Sequence, residues 1–268
     1  MIPYPFTYHR ATSLAQAQAL LGGSADAKLL AGGQTLIAAM KMRLAQPSDL
    51  IDISAIKELS FIRAEKDAIV VGAGTKHFEV ATSDAVTRAI PALAELAGSI
   101  GDPAVRHKGT LGGSLANNDP AADYPAAVLA LGASVKTTKQ TIAADDFFTG
   151  MFATALDDGE IVTGVSFPVP ERAGYAKFPN PASRYAMVGV FVAKTKDGVR
   201  VAVTGAGPCV FRVPEMEAAL AKSFTSEAIA GLAVDPSDLN SDIHGSSEYR
   251  AHLVTVMAGR AVAAASHG

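Results

Sequence analysis

The 268-residue sequence has one cysteine, Cys209, and no tryptophan. A single thiol excludes an internal disulfide and a four-cysteine iron–sulfur cluster built by this chain alone. The six histidines are scattered. His244 and His252 lack His-x-x-x-His spacing, and no His/Cys group has the spacing of a zinc site. Redox chemistry on this chain would therefore need an organic cofactor. Charge of one sign is also scarce: the formal net charge is −3, with no long run of like charges. That argues against nucleic acid as a partner, because such binders carry a basic stripe. The longest apolar stretches, such as residues 126–135, are too short to span a bilayer. The N-terminal MIPYPFTYHR places prolines and aromatics where a secretory leader needs a basic start and an apolar run. A cytoplasmic protein is expected.

What the chain does have is apolar residues, 49% of the total, enough for a substantial core and against disorder. Its most informative stretch is Lys28 to Met42, KLLAGGQTLIAAMKM. A short apolar run leads into Gly32-Gly33. Gln34-Thr35 follow, then Leu36, Ile37 and Met40 at helical spacing. The pattern predicts strand, glycine turn and helix start. Glycine lets a ligand approach the main chain closely, and a helix start presents N–H groups without intrahelical acceptors. Together they suit a phosphate, although the same pattern also describes an ordinary strand-to-helix turn. A second stretch, Gly109-Thr110-Leu111-Gly112-Gly113-Ser114, again sets a glycine pair beside hydroxyls. Two such turns suit a ligand with two phosphates: the amides of one can hold one phosphate while the other turn closes over its neighbour. Gly112→Val is then expected to abolish ligand retention in a chain that still folds.

Other nucleotide motifs are missing. Gly72-Ala73-Gly74 is followed by His77 where a Rossmann fingerprint needs glycine, and nothing matches a P-loop. That turn is assigned to structure, with Thr75 capping the next helix.

Along the chain, Ser13 and Gln16 suggest a capping box before a short helix ended by Gly22-Gly23. The focal helix is expected to stop near Gln46-Pro47. Strands are expected at 50–53, 61–63 and 69–71, and helices at 84–90 and 91–99. Asp123-Tyr124-Pro125 opens an alanine-rich helix. Residues 133–137 and 140–142 suggest a hairpin, Asp145-Asp146 a cap, and residues 160–169 a strand. Proline and glycine at 170–175 mark a domain boundary. Beyond it, 187–194 and 199–205 alternate like antiparallel strands, and 215–221, 226–232 and 247–264 suggest helices. His77 and His107 are expected to be polar surface or hinge residues. Lys177 suggests a solvated lysine after a strand, and Tyr185 a half-buried aromatic.

The two glycine stretches, Asp119-Pro120-Ala121-Ala122-Asp123 and Pro181-Ala182-Ser183-Arg184-Tyr185 resemble the flavoprotein subunits of the molybdenum hydroxylases. So do Ser241-Asp242-Ile243-His244 and Glu248-Tyr249-Arg250. The group includes the medium subunits of aerobic carbon monoxide dehydrogenases and the flavin domain of xanthine dehydrogenase. The likeness runs over nearly the whole chain. It implies an α+β fold: a two-subdomain FAD-binding domain of PCMH type, then a smaller C-terminal α+β domain with an antiparallel sheet and helices. The expected division is 1–174 (subdomains about 1–55 and 56–174) and 175–268.

The resemblance also implies site residues. Leu30, Ala31, Gly32, Gly33, Gln34, Thr35 and Leu36 match the first pyrophosphate loop. Thr110, Leu111, Gly112, Gly113 and Ser114 match the second. Asp123 matches a cofactor-contacting aspartate, and a hydroxyl-bearing part of FAD suits it better than phosphate. Val162 and Lys177 match flavin-lining positions, with Lys177 placed to stabilise charge on reduced flavin. Ile100 matches an apolar or aromatic position near the cofactor, and Tyr185 an aromatic beside the isoalloxazine. No residue matches a metal ligand or a catalytic acid or base. The implied function is electron transfer, with FAD here accepting electrons from [2Fe–2S] clusters on a small subunit. Molybdopterin would sit on a large subunit, in a dimer of heterotrimers. Membrane-surface association of that complex is left open, as are the substrate and the external acceptor. The alternatives are a free-standing FAD oxidoreductase and a non-redox interaction subunit that has lost its cofactor.

Overall fold

A three-stranded parallel sheet begins the computed structural model, which describes residues 2–265. It is built from β1 (Thr7–Arg10), α1 (Leu14–Gly22), β2 (Lys28–Leu30), α2 (Leu36–Lys41) and β3 (Asp49–Asp52), with strand order β1-β3-β2. Parallel neighbours need crossovers, and α1 and α2 supply them. The Ser13 hydroxyl accepts from Gln16 N at 3.2 Å, so the expected cap forms. The Gln16 amide oxygen accepts from Thr12 N at 2.8 Å, one residue earlier than a capping box requires. Helix α2 ends at Lys41, well before the expected Gln46-Pro47. Arg43 takes a left-handed φ of 62°, and Leu44 N donates to Ala39 O at 2.9 Å. This closure is normally glycine's; an arginine holds it here, so composition hid the stop.

The next unit is a five-stranded antiparallel sheet, order β4-β5-β10-β6-β7, with helices packed around it. Its strands are β4 (Ile62–Ala64), β5 (Ala68–Gly72), β6 (Ser134–Thr137), β7 (Thr141–Ala143) and, after the small hairpin β8 (Phe148–Gly150) and β9 (Ala153–Thr154), β10 (Val162–Pro168). Between β5 and β6 run α3 (His77–Ala81), α4 (Asp84–Ala89), α5 (Pro91–Ser99), α6 (Pro103–Arg106), α7 (Leu111–Asn117) and α8 (Tyr124–Ala130). A single turn, α9 (Ala144–Phe147), follows β7. Every residue of α8 is buried, which explains its alanine-rich, periodless sequence. Thr75 does not cap α3. Its hydroxyl donates to Phe61 O at 3.0 Å and accepts from Phe61 N at 3.2 Å. Lys76 is the N-cap, with its N–H donating to Glu79 Oε2 at 2.8 Å.

The C-terminal unit is an antiparallel sheet of β11 (Arg172–Pro179), β12 (Ala186–Thr195), β13 (Gly198–Thr204) and β14 (Phe211–Arg212), in that order. Helices α10 (Pro214–Lys222) and α11 (Ser247–Ala265) pack on it. Leu253, Val254, Met257 and Val262 of α11 are buried in this core, each worth about 1.5–3 kcal/mol. Gly174 makes that docking possible: a Cβ there would stand 2.0 Å from Ala261 O. The expected helix at 226–232 is only a 3-10 turn, Ser226–Ala228. Asp145, expected as a cap, lies in the first turn of α9 and pairs with Arg200 and, at 3.4 Å, Arg212. It therefore ties the five-stranded unit to the C-terminal sheet. Among the described residues no helix is long and apolar enough to cross a membrane.

Candidate functional site

The first glycine stretch lies where β2 gives way to α2. Leu30 O still accepts from Ile53 N at 3.0 Å, but pairing then stops. Gly33 takes φ of 72° and turns the chain toward the helix. Among the described residues, the backbone N–H groups from Gly32 through Leu36 donate to no protein acceptor. Thr35 is the N-cap, yet its hydroxyl makes no capping bond. Because α2 has only six residues, its dipole adds little. The clustered donors are what an anion would meet.

The second stretch touches the first. A Cβ on Gly32 would lie 2.2 Å from Lys108 O and 2.7 Å from Gly109 Cα. No side chain fits there, so this glycine is required by contact between the two turns. From Leu111 onward, however, the amides are already used, and among the described residues only Thr110 N of this stretch is left without an acceptor. Leu111 N donates to Thr75 O at 3.0 Å, Gly112 N to Ala73 O at 2.8 Å, Gly113 N to the Thr110 hydroxyl at 3.2 Å and Ser114 N to Thr110 O at 3.0 Å. The two turns are therefore not equivalent: among the described residues the first leaves the amides of Gly32 through Leu36 without acceptors, the second only that of Thr110. The second offers hydroxyls: the Thr110 O–H remains free to donate, and the half-buried Ser114 hydroxyl has no partner among the described residues. Gly112 is buried, and a Cβ there would meet Ala73 Cβ at 2.5 Å. Its smallness serves packing, so Gly112→Val would disturb the fold as well as any ligand.

Behind the second stretch lies a buried polar cluster. Asp123 is 4% exposed. Its Oδ1 accepts from the Tyr175 hydroxyl at 2.5 Å and pairs with Lys177 Nζ at 2.9 Å. Burial raises the Asp123 carboxyl above its ordinary range, opposed by Lys177 and Tyr175; burial and then Asp123 raise Tyr175. Lys177 is not the solvated lysine its position suggested. Its ammonium also donates to Ser99 O at 2.9 Å and Arg184 O at 3.2 Å, which fills its three donors. Tyr185, 45% exposed, comes within hydrogen-bonding reach of Thr35. Burial first, then Asp119 and Asp123, raise its phenol. The phenol thus lies near Thr35 of the first glycine turn. His77, expected as a surface or hinge residue, is buried 5.4 Å from the Tyr124 ring, and its Nδ1 has no partner among the described residues.

Comparison with known proteins settles the family. Residues 4–170 match the family described as the FAD binding domain in molybdopterin dehydrogenase, and residues 173–265 match the CO dehydrogenase flavoprotein C-terminal domain. The chain belongs to the flavoprotein subunits of the molybdenum hydroxylases. It is 36% identical to the carbon monoxide dehydrogenase medium chain of Hydrogenophaga pseudoflava, covering 99% of this chain and 98% of that one. It is 37% identical to the nicotine 6-hydroxylase medium subunit of Paenarthrobacter nicotinovorans, covering 95% of each. The reconstituted CO dehydrogenase of Oligotropha carboxidovorans superposes with a TM-score of 0.92 at 34% identity, covering 100% of this chain and 99% of that chain.

In this flavoprotein subunit the fold gathers most of the expected residues. Within the first stretch Gly32 touches Lys108 and Gly109, and Ala31 faces Gly113, its Cβ 4.0 Å from a Cβ placed there. Leu111 is fully buried and serves the core. Asp123, Lys177 and Tyr185 form one connected group. Ile100 follows Ser99 at the end of α5, and its carbonyl accepts from Arg106 Nη1 at 3.0 Å. Val162 is buried at the start of β10 opposite Thr137, in the same core cluster as Leu111, and the carbonyl of the next residue, Thr163, accepts from Ala73 N at 3.0 Å beside Gly112. Tyr175 was missed from sequence. Its signal was the Tyr-x-Lys spacing on a strand, which puts both side chains on one face.

Proposed function

We propose that this chain is the FAD-binding electron-transfer subunit of a heterotrimeric molybdenum hydroxylase. FAD would supply the redox centre that the side chains lack. The carrying observation is the run of N–H groups from Gly32 through Leu36, without acceptors among the described residues and pressed against the hydroxyl-bearing start of α7. Main-chain donors at close range neutralise a pyrophosphate without a lysine or arginine in contact. Thr35, Thr110 and Ser114 would add hydroxyl donors. Asp123, with Lys177 and Tyr175 already on one oxygen, keeps its second oxygen for a ribityl or ribose hydroxyl. Tyr185 would cover one face of the isoalloxazine, and Ile100 and Val162 would supply apolar walls.

Electrons would arrive from the [2Fe–2S] clusters of a small subunit, which is reduced in turn by a large molybdopterin subunit, and leave to an external acceptor. Comparable identity to medium subunits of a carbon monoxide dehydrogenase and a nicotine hydroxylase supports a shared module that does not choose the substrate. A dimer of heterotrimers is the assembly proposed. The test is ligand selectivity of the purified protein. FAD should be retained with its visible spectrum, and riboflavin, which has no phosphates, should bind at least about a hundredfold more weakly. Equal affinity for both would overturn the pyrophosphate assignment. Copurification with iron- and molybdenum-containing chains tests the partners.

A further inference from the structure

We infer that Lys177 is a positioning residue for Tyr185, acting through the Arg184 carbonyl. Residues 180–185 form a closed loop. Asn180 N donates to Tyr185 O at 2.8 Å and Arg184 N to Asn180 O at 2.9 Å. The Asn180 side-chain oxygen accepts from Ala182 N at 2.9 Å and Ser183 N at 3.3 Å. The Ser183 hydroxyl accepts from Tyr185 N at 3.3 Å. Such a loop moves as one piece, and its internal bonds do not fix where Tyr185 points. The fastening comes from outside. Lys177 Nζ donates to Arg184 O at 3.2 Å while held below by Asp123 and Ser99 O.

Two further observations give that fastening a purpose. Arg184 is not glycine, yet it takes φ of 62°. That conformation is disfavoured by about 1–2 kcal/mol for such a residue, so a partner must hold it. Beside the loop opens a cleft of about 560 Å³, lined among others by Glu95, Ser99, Lys177, Asn180 and Arg184. A loop freed from Lys177 has room to swing into it, carrying Tyr185 away from Thr35. Lys177 therefore need not touch flavin to matter to it: its three donors are filled by protein atoms, and its effect passes through the aromatic ring.

This inference rests on the flavin reading of the site, and the experiment separates the two. In the purified complex, flavin fluorescence and FAD dissociation are measured for wild type, Lys177→Met, Tyr185→Ala and the double variant. Lys177→Met alone leaves Asp123 buried without its cation. The pair Lys177→Met/Asp123→Asn, which removes that charge, is therefore run alongside, with and without Tyr185→Ala. A stacked tyrosine quenches flavin emission and is worth up to about tenfold in affinity. Lys177→Met should raise emission and weaken FAD by up to about tenfold, as Tyr185→Ala does. The pair should raise emission equally, and its affinity, which also carries the loss of the Asp123 contact, is compared only with that of its own Tyr185→Ala derivative. Adding Tyr185→Ala to either lysine background should produce no further change. Emission and affinity unchanged in both lysine variants, or effects that add to those of Tyr185→Ala, would overturn the inference. A wild-type complex that takes up no FAD would overturn the flavin reading, and this inference with it.

Discussion

His77 ties folding stability to acidity at the contact between the glycine stretches. Its backbone N–H donates to Gly109 O at 3.1 Å, and its Nε2 would stand 2.5 Å from a Cβ on Gly109. Burial, with a smaller push from Arg106, lowers its pKa from 6.5 to about 4. The ring is therefore neutral in the folded chain at pH 7. The unfolded chain binds the proton more readily, so stability rises with pH between about 4 and 6.5. The contribution is fully present above 6.5 and is lost as pH falls through 4. The gap corresponds to about 3 kcal/mol, of which about 2 kcal/mol is gone by pH 5. The assay is urea unfolding of wild type and His77→Gln at pH 7.5 and 5. Titrating carboxylates affect both proteins alike, so the difference isolates His77. Wild type should lose about 2 kcal/mol more than the variant. An equal loss in the two proteins would refute the claim that His77 is held neutral by burial.

Four further substitutions have outcomes that follow from the structure. Gly33→Ala forces a side chain into φ of 72° and within 2.6 Å of Ile37 Cδ1; it should cost about 1–2 kcal/mol in unfolding free energy and reduce bound FAD measured by absorbance. Gly112→Val should lower the melting temperature of the protein before FAD is added, because it collides with Ala73, whereas Ser114→Ala should weaken FAD at an unchanged melting temperature. Asp145→Ala should cost no more than about 1 kcal/mol, since the carboxylate is 48% exposed. That loss should shrink in high salt, and protonating Asp145, whose pKa Arg200 lowers, should mimic it as pH falls.

Much of this architecture was legible in the sequence because local signals agreed with the final packing. The helix begun at Pro91 and the alternation of 187–194 both worked this way. The failures share a cause: tertiary partners chose among groups that local rules leave equivalent. Arg43 ended α2 in a conformation that composition assigns to glycine. The Thr75 hydroxyl took Phe61 in place of a cap. Similar glycine pairs at 32–33 and 112–113 came to differ, because Ala73 and Thr75 claimed amides at one and no described residue claimed those of the other. Lys177 could not be distinguished from a surface lysine until Ser99, Asp123 and Arg184 converged on it.

The contact between Gly32 and the Lys108–Gly109 backbone has a mechanical consequence. The small parallel sheet at the N-terminus meets the rest of the protein where a dinucleotide would lie across both. Bound there, FAD would act as a rivet as well as a redox group, and free cofactor would favour the joined form by mass action. Removing it should leave residues 2–55 the first part of the chain open to a protease.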